Sequence, residues 1–370
     1  MKIYWMFLGL SFLVWFWNSA SYEGVRINNQ YEKKARWSQA IFFFSVIIFF
    51  CGLRSGVADT GTYIHLFETW PSNVTDIDWE IVDMDKGFYY LTVLYKQVIS
   101  DHYQGWLFII ALISGTATMY ALKKYSYNFG FSCFLFIATT SFTYLVNGMR
   151  QYICISIVFA SIGLIIERKF WKFLALILLL SPIHGSVLIF IPVYFLVNVK
   201  PWSGLMFLVT GCAGVIGIFF EKLFPMFGSM LEETQYSGYV SYIAEEGVGS
   251  SIFRLLIAAV PCVLAFIGRK IVKAEGNAVI NIAVNMSVLN FCLYFIATFS
   301  SGMVVGRVAA YFDIFNIILL PWLIKHIFTK ESSQIITVLC VGAYTVFFYL
   351  QMVVTWHLNY VSDFLNIHYY

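Results

Sequence analysis

The sequence predicts an all-α polytopic integral membrane protein of about 12 transmembrane helices. Three observations carry this reading. Hydrophobic residues make up 60% of the 370 and charged residues only 12%, where a soluble domain carries about 25% charge. The apolar residues fall in twelve runs, near 3–20, 37–53, 105–122, 129–147, 151–166, 170–183, 186–199, 204–220, 252–268, 277–300, 307–324 and 334–355. Helices also satisfy their own backbone hydrogen bonds, which a bilayer cannot do for them. With so little polar sequence between the runs, residues 1–370 read as a single polytopic domain.

The first run reads as a retained span rather than a cleaved signal. Arg26, Lys33, Lys34 and Arg36 follow it and only Lys2 precedes it, the reverse of a signal's polarity. Basic residues prefer the cytoplasm. An external N-terminus puts 15 of the 23 Lys and Arg inside and 8 outside, while 15 of the 20 acids fall outside or near that face. Two long external loops result, about 54–104 and 221–251, both acidic and aromatic. In the first, Thr60 to Trp70 reads as a helix with Asp59 at its N-cap, stopped before Pro71. "GFYYLTVLYKQVI", 87–99, reads as a helix lying at the outer interface.

Around "SPIHGS", Pro182 and Pro192 shorten the neighbouring runs. Two short spans turning at His184 or a re-entrant hairpin near 182–192 both fit. Further along, Asn281 and Asn285 lie four apart and read as interhelical hydrogen-bond glue. The seven cysteines have no metal-type spacing and read as small packing residues.

Arg54, Arg150, His184 and Arg307 all project to the outer membrane edge, although they are scattered over more than 250 residues. Ionisable groups at membrane depth are costly, which makes them functional candidates. A helix-end arginine can simply snorkel to the headgroups. Yet all three boundary cations are arginines, whose planar fork grips phosphate through two parallel bonds as lysine cannot.

"LRSGVADTGTY" is the most specific stretch. Gly56 and Gly61 permit tight turns, and Thr60 and Tyr63 share a helix face. As pure structure, Asp59 is a cap with Arg54 as its ion-pair partner. As function, a carboxylate, a hydroxyl and a phenol form a sugar-binding or acid–base surface. Arg307 and Tyr311, four apart, are either a stacked pair or part of the same surface, and Asp313 lies deeper, on another face. Phosphate-binding loops, zinc spacings, nucleophile elbows and basic nucleic-acid stripes do not occur. No cofactor, metal or nucleic acid is expected.

"LRSGVADTGTY", "NGMRQYICISIVFA", "SPIHGSVLIFIP" and "GRVAAYF" follow one another as in the EpsG-like membrane proteins, which are grouped with Wzy-type O-antigen and exopolysaccharide polymerases. The chain resembles that family over about 40–325. The resemblance implies a GT-C-like glycosyltransferase of a bacterial, Gram-negative inner membrane. It would join undecaprenyl-diphosphate-linked oligosaccharide repeat units at the periplasmic face, with a chain-length regulator and a flippase as possible partners. The residues carried over in matching motifs are Arg54, Asp59, Thr60, Tyr63, Arg150, Gln151, His184, Arg307 and Tyr311.

The residues suit that chemistry on their own terms. A diphosphate leaving group needs positive charge, which Arg150 and Arg307, with Arg54, would supply in place of a metal. The acceptor hydroxyl needs a base, and His184 or Asp59 is available. Thr60, Tyr63, Gln151 and Tyr311 would line the substrate. A lipid-linked oligosaccharide flippase is the first rival, but transporters keep polar groups near the midplane, and here they crowd one edge. An O-antigen ligase and a membrane acyltransferase are the other two.

Overall fold

Helices form where the apolar runs stand. In chain order they are α1 (Lys2–Ala20), α2 (Trp37–Gly52), α3 (Thr60–Thr69), α4 (Lys86–Val98), α5 (Tyr103–Tyr125), α6 (Phe129–Ala138), α7 (Met149–Ala160), α8 (Ile162–Ile166), α9 (Phe170–Leu180), α10 (Phe190–Val197) and α11 (Gly204–Ile218). They continue as α12 (Ile252–Ile267), α13 (Arg269–Glu275), α14 (Ala278–Phe299), α15 (Val304–Ile327) and α16 (Lys330–Tyr349). The structure, a computed structural model, describes residues 1–27, 30–80, 82, 84–220, 249–300, 302 and 304–368. The second loop expected to be external, 221–251, thus lies outside the described residues except for its last three.

Among the described residues five helices are long and apolar enough to cross a membrane, and a sixth if α12 and α13, bent by 70°, count as one. The protein is a membrane protein. The other six runs carry helices too short to pass that test as continuous spans. The cause is local. α6, for example, stops where Thr140 takes a left-handed backbone (φ 64°) and a 3-10 turn, Ser141–Leu145, takes over.

The all-α expectation needs one addition. Glu23–Ile27 (β1) and Gln30–Lys34 (β2) pair antiparallel, Glu23 opposite Lys34 and Ile27 opposite Gln30. The polar connection 21–36 between α1 and α2 has no apolar face to bury as a helix, so its strands satisfy their backbone by pairing with each other.

Two compact units are distinguished: residues 1–191 with 340–370, and residues 192–339. In the first, α1 packs on α6, with Trp15 stacked on Phe131 at 4.7 Å. α5 packs against both α2 and α7. α3 packs Tyr63 and Phe67 against Phe88 and Trp106, all nearly buried, to form an aromatic bed. Lys96 of α4 ties the end of α3 down by donating to the carbonyls of Phe67 (2.9 Å) and Trp70 (2.5 Å). The C-terminal segment returns to the end of α2: Tyr360 donates to Phe50 O (2.9 Å) and Ser55 N–H to Val361 O (2.9 Å).

In the second unit α14 and α15 make the most extensive helix pairing. Asn285 of α14, fully buried, donates to the carbonyls of Val197 (3.1 Å) and Val199 (2.8 Å). That is the glue role expected of it. Asp313 of α15 accepts from Tyr294 Oη (2.7 Å) and Asn290 Nδ2 (2.9 Å) of α14. An intramembrane carboxylate held this way is satisfied within its own helix pair.

Candidate functional site

Three chain segments converge in the first unit, and Asp85 joins them. Asp85 precedes α4 with a left-handed backbone, φ 58° and ψ 38°. Aspartate is among the few side chains that accept this region without much cost. The turn throws the carboxylate back over the start of the helix, where it is 8% exposed. Its Oδ2 accepts from Arg150 Nη1 at 2.9 Å and lies 3.0 Å from His184 Nδ1. Its Oδ1 accepts from the backbone N–H of Gly185 at 3.2 Å.

Gly87 makes this convergence possible. Its N–H donates to Pro182 O at 2.8 Å, and that of Phe88 to the same oxygen at 3.2 Å. A Cβ on Gly87 would stand 2.6 Å from Pro182 Cβ and 2.9 Å from its carbonyl oxygen. Only a residue without a side chain lets the "SPIHGS" turn seat on α4. The turn itself follows from sequence: α9 ends at Leu180, and a 3-10 stretch, Gly185–Ile189, begins after His184.

Arg150 sits in the first turn of α7. Gly148, at the N-cap of that helix, has a left-handed φ of 67° that brings the chain out of the preceding 3-10 turn. The guanidinium lies over two rings, its Cζ 5.8 Å from the centroids of both Tyr63 and Phe88. Cation–π attraction and the Asp85 ion pair therefore fix it from two sides. The Arg150 and His184 side chains are 31% and 27% exposed over a buried carboxylate. A cation and an imidazole thus face outward, and the group that orients them lies beneath.

Arg54 stands differently. It is fully buried. Its Nε donates to Thr60 Oγ1 at 2.9 Å, its Nη1 to Cys51 O and its Nη2 to Met149 Sδ. The ion pair with Asp59 expected from sequence is replaced by these bonds, because Asp59 lies on the more open side of the turn while Thr60 faces in. Burial pulls the guanidinium down to about 10, so it stays charged at neutral pH. Thr60, also fully buried, donates its hydroxyl hydrogen bond to Val57 O. The pair locks the turn and braces Met149, the neighbour of Arg150. Gln104 completes the brace by donating to the carbonyls of Gly52 (2.7 Å) and Arg54 (3.3 Å).

Asp59 is at the N-cap of α3, as expected, but its side chain makes no capping hydrogen bond. Tyr63 is 5% exposed, as part of the aromatic bed under Arg150, and Gln151 is 4% exposed. Arg307 and Tyr311 belong to the second unit. Both are on α15, Arg307 exposed and Tyr311 fully buried one turn on. Among the described residues no group of three His, Cys, Asp or Glu could hold a metal ion.

Asp85 is the residue that sequence reasoning missed. It stands among several acids in "TDIDWEIVDMD", and nothing in that run separates one carboxylate from another. A signal existed, however. Asp85 is the acid nearest the helical run expected at 87–99, where an N-cap aspartate is favoured.

The EpsG family model matches residues 38–363, most of the chain. No curated protein and no solved structure matches it.

Proposed function

The chain belongs to the EpsG family, and on that premise we propose that it is a polysaccharide polymerase of the bacterial inner membrane. It moves a glycan from undecaprenyl diphosphate onto a lipid-linked repeat unit at the periplasmic face. The observation that carries this reading is the meeting of Asp85, Arg150 and His184, a held imidazole beside a held cation. Twelve crossings in a GT-C-like arrangement, with both termini external, complete the proposal.

The chemistry runs as an acyl-free displacement. The acceptor hydroxyl attacks the anomeric carbon of the donor glycan, and the bond from that carbon to the diphosphate oxygen breaks, its electron pair leaving with the diphosphate. The hydroxyl proton goes to His184. With Nδ1 donating to Asp85, the imidazole presents Nε2 as the acceptor, and the carboxylate stabilises the imidazolium that forms. Arg150 supplies positive charge to the departing diphosphate. Arg54 and Thr60 act as positioning residues beneath it. Arg307 is assigned to diphosphate binding and Asp59 to substrate contact, while the buried Tyr63, Gln151 and Tyr311 support their neighbours.

Purified full-length protein in nanodiscs, supplied with lipid-linked repeat units from the parent strain, tests this. The wild type should build a ladder of polymers. His184→Gln, which keeps hydrogen bonding but cannot take the proton, should lower turnover by about 10²–10⁴-fold. A ladder at the wild-type rate from that variant would remove His184 as the base.

A further inference from the structure

Two large aromatic side chains are left exposed beside the site, and neither the ion pair nor the imidazole uses them. Trp79 is 46% and Tyr90 39% exposed, and their rings stack at 18° with centroids 6.5 Å apart. Behind them the platform is braced. Trp79 meets Tyr89 edge-on at 6.2 Å, and Tyr89 meets Trp70 at 4.6 Å. The loop carrying Trp79 is pinned to α4 and its end by two hydrogen bonds. Val74 N–H donates to Gln97 Oε1 at 3.1 Å, and Ser72 Oγ to Asp101 at 2.9 Å.

An exposed aromatic on a membrane protein ordinarily anchors in the headgroup layer. The charge around Trp79 argues against that here. Asp76, Asp78 and Glu80 flank it and are all exposed. Interfacial anchors pair their aromatics with lysine and arginine, whereas carboxylates surround this ring. The position argues further. Tyr89, which holds the back of the platform, is one helical turn, about 5.4 Å, from Asp85 on α4. The platform thus sits on the helix whose N-terminal Asp85 holds His184.

We propose that Trp79 and Tyr90 form a stacking subsite for a pyranose of the acceptor glycan, one that carries no acidic group. The C–H face of the sugar lies on the rings, where aromatic surface gives area at little entropic cost. Its hydroxyls meet the flanking carboxylates, which accept hydrogen bonds from neutral or amino sugars and repel a uronic acid. The braced rings need no rearrangement to receive it. This deepens the polymerase reading and rests on it for the name "acceptor", whereas the binding itself can be measured without turnover.

The test uses full-length protein carrying His184→Gln, in nanodiscs, so that nothing is consumed. The probe is the repeat-unit oligosaccharide released from its lipid diphosphate, followed by saturation-transfer NMR and calorimetry. Adding Trp79→Ala should weaken binding at least ten-fold, and Trp79→Phe should restore it to within three-fold. The same oligosaccharide oxidised to uronic acid at its primary hydroxyls should bind at least ten-fold more weakly than the parent. In turnover assays with His184 intact, Trp79→Ala should raise KM for the lipid-linked unit and leave kcat within two-fold. Equal affinity with and without Trp79, or no binding to the Trp79 protein, overturns the subsite. Equal affinity for the oxidised sugar overturns its charge selectivity. If the wild type builds no polymer yet binding still depends on Trp79, the polymerase reading fails and the sugar subsite stands.

Discussion

The carboxylate of Asp85 and the imidazole of His184 stand 3.0 Å apart although 99 residues separate them. One acid thereby fixes both the ring and, through its second contact at 2.9 Å, the guanidinium of Arg150. Asp85→Asn keeps the size and tolerates the same left-handed backbone, but it removes the charge. Polymer formation by purified protein should fall about 10²–10³-fold with membrane abundance unchanged. A wild-type ladder from this variant would show that the acid orients nothing of consequence.

Gly87→Ala places a methyl group where Pro182 already stands, at 2.6 Å. The "SPIHGS" turn must then lift from α4 and carry His184 away from Asp85. Overpacking of this kind costs about 1–3 kcal/mol. We expect a lowered Tm together with a turnover loss approaching that of Asp85→Asn. A variant with unchanged Tm and activity would mean that the turn does not depend on this contact.

Arg150→Lys retains the charge but loses the planar contact with Tyr63 and Phe88 and the geometry that holds Nη1 on Asp85. Chain length on gels should shorten severely at normal protein level. Full restoration of chain length by lysine would leave a general electrostatic role and remove the bidentate one.

Arg54→Lys should act on stability before chemistry. Lysine cannot reach Thr60, Cys51 and Met149 together, and the loss amounts to about 2–4 kcal/mol, read as a drop in Tm. The pH dependence has a definite sign. Desolvation lowers the guanidinium to about 10 in the folded protein, so folding disfavours its charged form. That cost is complete below about 10 and fades only as pH rises toward the unfolded value. Between about pH 5 and 9, then, Arg54 adds no slope to the stability curve. A Tm difference between wild type and the non-titrating Arg54→Met that changes across this range would contradict it.

Orientation can be checked with reporter fusions. Fusions after Lys124 and after Lys273 should report a cytoplasmic location, as the 15-to-8 split of basic residues requires. A fusion after Asp76, on the loop bearing Trp79, should report the periplasm. The opposite result for Asp76 would place Asp85 and His184 on the wrong side for a periplasmic reaction.

Much of the architecture was legible from residues alone. Apolar composition dictates helices, because a buried backbone has no water to bond, and every apolar run carries one. α3 starts at Thr60 and α4 at Lys86, each within a residue of the expected start, since Asp59 with Pro71 and the aromatic amphipathic run mark those bounds locally. Arg150 and His184 could be named because charge at a membrane edge stands out against apolar sequence. Tertiary structure alone decided what each one touches. Arg54 and Arg150 look alike in sequence, yet one is sealed over Thr60 and Met149 and the other lies open on two rings. Asp85 is one acid among several until Gly87 lets Pro182 approach. Periodicity and composition are local quantities. A hydrogen bond across 99 residues depends on how helices meet, and that meeting is set by packing that no single stretch encodes.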